Sequence, residues 1–387
     1  MNMTRVDYDK IQYNEVRMHI PFVDLKAQYF DLKGEIDGAI KEVIEESAFI
    51  GGKFVRRFES EFADQYGVKH MISCANGTDS LYIIMKMLGI GNGDEVITAA
   101  NSWISSSETI SQTGARPIFL DIDPDYYSMD DALLQSKITS KTKAILAVHL
   151  HGQMCNIERI SEICQKNGIF LIEDCAQAHF AEYKGIRAGL SGIAGSFSFF
   201  PGKNLGAYGD AGCIITNNDA LAQKCRMFAN HGALQKHHHL IEGVNSRMDG
   251  IQAAILSAKL PHLAKWTTAR IEIAKKYDQL LSGVNSVNVP KVRPNSTHTF
   301  HLYVVVAAMR DELRSFLQDK GIETLIHYPT PLPFLPAYGW LGYRREEFPV
   351  CCDLQEKILS LPIFPELTDA QISYITYWIG EFYGSGQ

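Results

Sequence analysis

The sequence contains no long hydrophobic run and no excess of positive charge. No stretch approaches the roughly 18 apolar residues of a membrane-spanning helix, and the amino terminus lacks the apolar core of a secretory signal. Lysine and arginine number 37 against 44 acidic residues, a formal net charge of −7. This balance disfavours nucleic acid as the main partner. We expect a protein that acts on small molecules, with no nucleic-acid or membrane partner.

The sequence also lacks any C-x-x-C pair among its eight cysteines. Most of these cysteines fall in apolar patterns, where a free cysteine packs as a small hydrophobic residue. Because unpaired cysteines are typical of a reducing compartment, we expect a cytoplasmic location.

A chain of 387 residues is longer than one hydrophobic core usually organises, which predicts two domains. We predict an amino-terminal arm over 1–19, a large domain over 20–260 and a small carboxyl-terminal domain over 261–387. Apolar strands predicted in the large domain alternate with amphipathic helices, and this alternation predicts a mostly parallel sheet covered on both faces. The predicted strands lie at 69–74, 95–98, 117–121, 143–148 and 169–173.

The small domain is predicted to be α/β as well. After a long helical pattern to about residue 281, strands are predicted at 300–306 and 323–327 with a helix at 311–320 between them. Terminal helices follow.

One lysine, Lys203, stands in a turn between two predicted strands. The strands are indicated near 196–200 and 213–216, and glycines and a proline bend the chain between them. Beside an apolar strand end, desolvation would lower the pKa of the lysine ammonium and make it a nucleophilic amine.

An aspartate, Asp174, ends the predicted strand that precedes this lysine. Sheet enzymes bind ligands at the carboxyl ends of their strands. An amine nucleophile together with an acid that could pair with a pyridinium nitrogen is the minimum equipment for pyridoxal phosphate chemistry. A buried ion pair between Asp174 and Lys203 is the structural alternative. A nucleotide-binding P-loop at Gly202-Lys203 fails, because Phe197 and Asn204 replace the required glycine and Ser/Thr.

Four linked motifs resemble the DegT/DnrJ/EryC1/StrS family of pyridoxal phosphate-dependent sugar aminotransferases. They are Asp174-Cys-Ala-Gln-Ala-His179, Phe197-Ser-Phe-Phe-Pro-Gly-Lys-Asn-Leu-Gly206, Gly209-Asp-Ala-Gly212 and Asn245-Ser-Arg-Met-Asp-Gly-Ile-Gln-Ala-Ala254. The resemblance extends from about residue 20 to near the carboxyl terminus. It implies the aspartate aminotransferase (type I) fold, pyridoxal 5'-phosphate as cofactor, and an amino-acid donor with a sugar acceptor.

The resemblance also implies a role for individual residues. Lys203 would form the Schiff base with the cofactor, and Asp174 would pair with its pyridinium nitrogen. The cofactor phosphate and ring would be held by the following residues: Gly77, Thr78 and Ser198 at the phosphate, Trp103 stacked on the ring, Gln177 at the ring hydroxyl, and Asn245 from a partner subunit. That last role implies a homodimer with shared active sites.

Substrate contacts are expected from His179, Arg247, His327 and Tyr328. His237-His-His239 could suggest a metal site, but neighbouring histidines point in different directions and no Cys, Asp or Glu stands at a useful spacing. We therefore expect a solvated or interface loop there, and no metal.

The segment 201–212 resembles that of family members that aminate C3 of a nucleotide-linked keto sugar more than that of members that aminate C4, which implies a nucleotide-linked 3-keto sugar as acceptor. The shortage of basic residues for a nucleotide keeps a second acceptor open, an 8-oxo octulosonic acid of lipopolysaccharide. A sugar dehydratase, in which histidine replaces the lysine, is disfavoured because Lys203 is present. A non-catalytic regulator of the same fold is the remaining alternative.

Overall fold

The computed structural model describes residues 17–384. The predicted arm therefore lies mostly outside the described residues. The helices are α1 (Leu25–Asp31), α2 (Lys33–Glu45), α3 (Gly52–Tyr66), α4 (Gly77–Met87), α5 (Ser105–Thr113), α6 (Asp131–Lys137), α7 (Ile157–Asn167), α8 (Asp219–Ala229), α9 (Gly250–Lys259), α10 (Leu263–Leu281), α11 (Arg310–Asp319), α12 (Pro349–Gln355) and α13 (Asp369–Phe382).

The strands form one large sheet and three small ones. They are β1 (His70–Cys74), β2 (Glu95–Ala99), β3 (Arg116–Leu120), β4 (Thr142–Val148), β5 (Phe170–Asp174), β6 (Glu182–Tyr183), β7 (Ile186–Arg187), β8 (Ala194–Ser198), β9 (Gly212–Thr216), β10 (Ala233–Gln235), β11 (His238–His239), β12 (Val287–Asn288), β13 (Ser296–Thr297), β14 (Tyr303–Ala307) and β15 (Ile358–Leu361).

The large sheet has seven strands in the order β1-β9-β8-β5-β4-β2-β3. Strands β3, β2, β4, β5 and β8 pair in parallel, and β9 runs antiparallel to both of its neighbours. The prediction of a mostly parallel sheet is confirmed. Because these strands are parallel, their carboxyl ends share one edge of the sheet.

Consecutive residues of the central strands pack on opposite faces of this sheet. In β4, Ile145 and Ala147 belong to the apolar cluster that includes α3 and α9, whereas Ala144 and Leu146 belong to the cluster that includes α4 and α8. This alternation follows from the two-residue period of a strand. Both faces are therefore buried under helices, and the predicted α/β fold class is confirmed.

A third apolar cluster joins α10, α11 and α13 to the three-stranded sheet β12-β14-β15. Ile20 also packs there. The first turn of α10 contributes Leu263 and Trp266 to a large-sheet cluster, while Ile273 and Tyr277 on the same helix belong to the third cluster. Helix α10 thus spans two cores, and the domain boundary between 260 and 261 stays a prediction.

The strand predicted at 323–327 does not form. Ile322 and Leu325 make isolated bridges to two different partners, Ile20 and Ser360, so no continuous ladder can develop. The sequence prediction also missed β15, since a short apolar run fits a helix as well as a strand.

Candidate active site

A cavity of about 540 Å³ opens at the carboxyl edge of the large sheet. Nine of the predicted site residues line it: Gly77, Thr78, Trp103, Asp174, Gln177, Ser198, Lys203, His327 and Tyr328. Residues of the carboxyl-terminal part, among them Arg270 and His301, line it from the other side. A volume of this size suits a small-molecule ligand.

Lys203 lies half-buried in the turn that follows β8. Its backbone N–H donates to the carbonyl of Phe200 at 2.8 Å, which closes the turn. Burial lowers the pKa of the Lys203 ammonium to about 8, although the nearby Asp174 opposes that shift. A neutral, nucleophilic amine is therefore accessible to this lysine near physiological pH.

Asp174 ends β5 and is only 6% exposed. One carboxylate oxygen accepts from the backbone N–H of Ala176, and the other accepts from the hydroxyl of Ser106, both at 3.1 Å. Burial raises the pKa of Asp174, while the Ala176 N–H, Lys203 and Ser106 all act against that rise. The carboxylate is thus oriented before any ligand binds, and a protonated ring nitrogen would be a suitable partner for it.

The start of helix α4 offers an anion site beside Ser198. The Asn76 side chain accepts from the N–H of Asp79 at 2.7 Å, and the first N–H groups of a helix have no partner within it. A Cβ added at Gly77 would lie 2.8 Å from Cβ of Ser198, so only glycine fits here without a shift. Thr78 lies beside them, with its hydroxyl 2.7 Å from that of Ser105. A helix start with three hydroxyls nearby fits a phosphate group.

Gln177 connects the sheet edge to the opposite side of the cavity. Its Oε1 accepts from the backbone N–H of His151 at 2.7 Å, and its Nε2 donates to the hydroxyl of Tyr328 at 3.0 Å. Trp103 is 58% exposed, and its indole lies 5.8 Å from the Tyr328 ring, centroid to centroid. An exposed indole at this position leaves a face free for a planar ring.

Three predicted site residues do not line this cavity: His179, Asn245 and Arg247. His179 is fully buried between Phe197 and Phe199, with ring centroids 5.4 and 5.7 Å away. His179 has no exposed surface in this structure, so its substrate contact stays a prediction. Asn245 and Arg247 lie on a segment outside the cavity, so their roles stay predictions, and that of Asn245 requires a partner subunit.

His238 and His239 form β11, one strand of a two-stranded hairpin, and both are exposed. The sequence predicted a solvated or interface loop at this position. Over residues 17–384, the grouping of potential metal ligands that lie close together is His149, Glu173 and Cys175. Glu173 already accepts from three backbone N–H groups and faces His149 at 2.9 Å. This grouping is therefore explained by internal hydrogen bonds.

The sequence prediction missed several cavity residues. Ser105 lines the cavity, and Ser106, which does not line it, donates to Asp174. Both belong to a run of three serines that begins two residues after Trp103, and that run was an available signal. Arg270 and His301 had no comparable signal, because the first lies mid-helix and the second in a short irregular segment.

The fold and the paired Lys203 and Asp174 define a pyridoxal phosphate-dependent aminotransferase of the type I fold. Residues 31–379 match the DegT/DnrJ/EryC1/StrS aminotransferase family. The chain belongs to this family.

Similar proteins include named enzymes as well as proteins named for regulation or sensing. The chain is 40% identical to the UDP-2-acetamido-2-deoxy-3-oxo-D-glucuronate aminotransferase of Pseudomonas aeruginosa, over 92% of this chain and 98% of that one. It is 45% identical to a pleiotropic regulatory protein of Geobacillus stearothermophilus, over 95% and 99%. The crystal structure of S. venezuelae DesV superposes with a TM-score of 0.92 at 38% identity, over 94% and 98%.

Through residues 17–384, no helix combines the length and apolarity that crossing a membrane requires.

Proposed function

We propose that this sugar aminotransferase transfers an amino group from an amino acid, glutamate in the first instance, to C3 of a nucleotide-linked keto sugar. The observation that carries this proposal is the placement of Lys203 and Asp174 in one cavity of a chain 40% identical to an aminotransferase named for a UDP-linked 3-oxo sugar. The product would serve cell-surface glycan synthesis, including lipopolysaccharide.

The residues of the cavity divide the work of such a transfer. The bound pyridoxal ring supplies an electron sink for the α-carbon. Lys203 Nζ takes the α-proton of the donor and later returns a proton to C3 of the sugar, as a positioned base and acid. Asp174 would hold the proton on the ring nitrogen of the bound cofactor, and Gly77, Thr78 and Ser198 would hold its phosphate.

The acceptor is tested by reacting the amino-loaded enzyme with candidate keto sugars and following the return of the absorbance of the lysine-bound cofactor. We expect a UDP- or dTDP-linked 3-keto sugar to restore it. Restoration by an 8-oxo octulosonate alone would replace the proposed acceptor with the alternative.

A regulatory role is the second candidate, because the Geobacillus relative is named for regulation. Turnover with glutamate and a keto sugar would establish catalysis whether or not regulation also occurs. A protein without turnover and without cofactor absorbance would favour the regulator.

We propose further that the protein is a homodimer with Asn245 completing the partner's site. Three exposed apolar side chains lie near the segment that carries Asn245: Ile50 bridges Asp249, and Leu240 and Ile241 precede Asn245 by five and four residues. Apolar side chains left exposed around one segment support a subunit interface there. Light scattering should give a dimer, and Asn245→Ala should weaken cofactor binding without dissociating the dimer. A fully active monomer would contradict the shared site.

We also propose a cytoplasmic location for the protein, because all eight cysteines are free and buried. Free cysteines are typical of proteins in a reducing compartment.

A further inference from the structure

His301 stands in the cavity with one ring nitrogen in use and the other open. Its Nδ1 lies 3.1 Å from Oδ1 of Asn204, the residue after Lys203. Among residues 17–384, its Nε2 has no hydrogen-bond partner. Other side-chain atoms without a partner are completely shielded from solvent, but Nε2 of His301 is not one of them. Since His301 is half-buried and lines the cavity, Nε2 is open to that space.

The protons on this ring are fixed by its neighbours. The side-chain amide of Asn204 donates through Nδ2 to the carbonyl of Thr299 at 3.1 Å, so its Oδ1 must face His301 and accept. His301 Nδ1 therefore carries the proton and Nε2 presents a bare lone pair.

The surroundings keep the ring neutral. Burial holds the pKa of His301 well below its usual range, and the cations Lys203 and Arg270 lower it further, as do His327 and His179. A neutral imidazole with a free Nε2 can only accept a hydrogen bond there.

We propose that Nε2 of His301 accepts a hydrogen bond from a hydroxyl of the sugar acceptor and so selects a hydroxylated acceptor beside Lys203. The inference rests on the proposed function, in that the acceptor is a sugar. An amino-acid donor offers ionised carboxylates, which only accept hydrogen bonds, and its amino group is engaged in the transfer. A sugar offers several hydroxyl donors.

The experiment separates the two half reactions of the holoenzyme. L-glutamate tests the donor half, and a UDP-linked 3-amino sugar with a free C4 hydroxyl tests the acceptor half in reverse. In His301→Asn, the shorter amide can still donate to Asn204, but it places no atom where Nε2 stands. In His301→Gln, the longer amide can reach the position of Nε2. His298→Asn is the matched control: its ring lies outside the cavity, and an asparagine can still accept from the N–H of Phe300 as His298 does at 2.9 Å.

We expect His301→Asn to lose tenfold or more in kcat/KM with the amino sugar, mainly through KM, while the glutamate half changes less than twofold. His301→Gln should recover part of the loss, and His298→Asn should change neither half more than twofold. Equal losses in both halves would overturn the proposal, since His301 would then act on Lys203 through Asn204. No loss in either half would overturn it as well.

A failure of the proposed function gives a different result. If wild-type enzyme reacts with an 8-amino octulosonate and not with the nucleotide sugar, the proposed acceptor is wrong, and the same variants tested on the octulosonate decide the role of His301. If wild type reacts with neither sugar, both proposals fail.

Discussion

The two sides of the cavity are built differently. One side, the floor, comprises the lining residues between 76 and 210, and its key groups lie at or just after the carboxyl ends of strands of one sheet. The other side, the roof, comprises Phe22, Val23, Arg270, His301, Leu302, Leu325, His327, Tyr328 and Ile363. The floor contains the amine and the carboxylates, whereas these roof residues include a cation and two histidines but no acid.

We expect this difference to divide the two tasks of the site: floor groups carry out the proton transfer, and roof groups select the substrate. The floor groups are rigidly placed by the sheet, as proton transfer requires. The roof groups come from separate segments, and we propose that His301 among them binds a hydroxyl of the sugar acceptor. Substitutions in the floor should therefore affect both half reactions, and substitutions in the roof should affect mainly one.

The largest effect is expected for Lys203→Ala. This change should abolish transamination, because one amine both binds the cofactor and moves the proton. Loss of absorbance of the lysine-bound cofactor and of steady-state turnover measures it. Lys259→Met is the matched control: burial lowers the pKa of Lys259 to about 8 as well, but Lys259 lies outside the cavity and donates to the carbonyl of Gly206 at 2.8 Å. Activity above a few per cent in Lys203→Ala would contradict the assignment.

Asp174→Asn should slow both half reactions by similar factors. A neutral amide cannot hold the proton on the ring nitrogen, and loss of a charge-assisted hydrogen bond costs about 1.5–3 kcal/mol. Single-turnover rates with glutamate and with the sugar measure the change. Asp121→Asn is the control, because Asp121 is also buried and accepts two backbone N–H groups at 2.9 Å, but lies outside the cavity. Wild-type rates in Asp174→Asn would reject the proposed role.

Gly77→Ala should weaken cofactor binding by about tenfold, since overpacking typically costs about 1–3 kcal/mol. The added methyl group would lie 2.8 Å from Cβ of Ser198. Equilibrium titration of the apo protein with pyridoxal phosphate measures it. At Gly91 the nearest atom would be 3.6 Å away, so Gly91→Ala serves as the control. Equal affinities of the two variants for pyridoxal phosphate would contradict a phosphate site at the start of α4.

The smallest effect is expected for Tyr328→Phe, which removes the hydrogen bond between floor and roof. Gln177 loses one partner of its amide, a loss of about 0.5–1.5 kcal/mol, so we expect a few-fold rise in KM for the sugar and little change with glutamate. Tyr343→Phe is the control, since its hydroxyl accepts from the N–H of Phe119 outside the cavity. A larger rise in KM for glutamate than for the sugar would contradict the proposed difference in role between floor and roof.

The sequence by itself determined the reactive groups of the floor, though not every residue that lines it. Strand–helix alternation predicted the parallel sheet, and a strand-terminal Asp174 and a turn-bound Lys203 are local signals because the carboxyl ends of parallel strands meet at one edge. The motifs around them carried the family resemblance, and the family match confirms it.

Only the tertiary structure decided the roof. Arg270 reaches the cavity because its guanidinium donates to the carbonyls of Phe300 and Ile363, 30 and 93 residues away in sequence. His301 acquires its tautomer from Asn204, 97 residues away. His179, expected from the sequence to contact substrate, lies buried beside two aromatic rings, a position that the sequence did not predict. Periodicity reports which face of an element is buried, but it does not report which distant backbone carbonyl or side chain that face will meet.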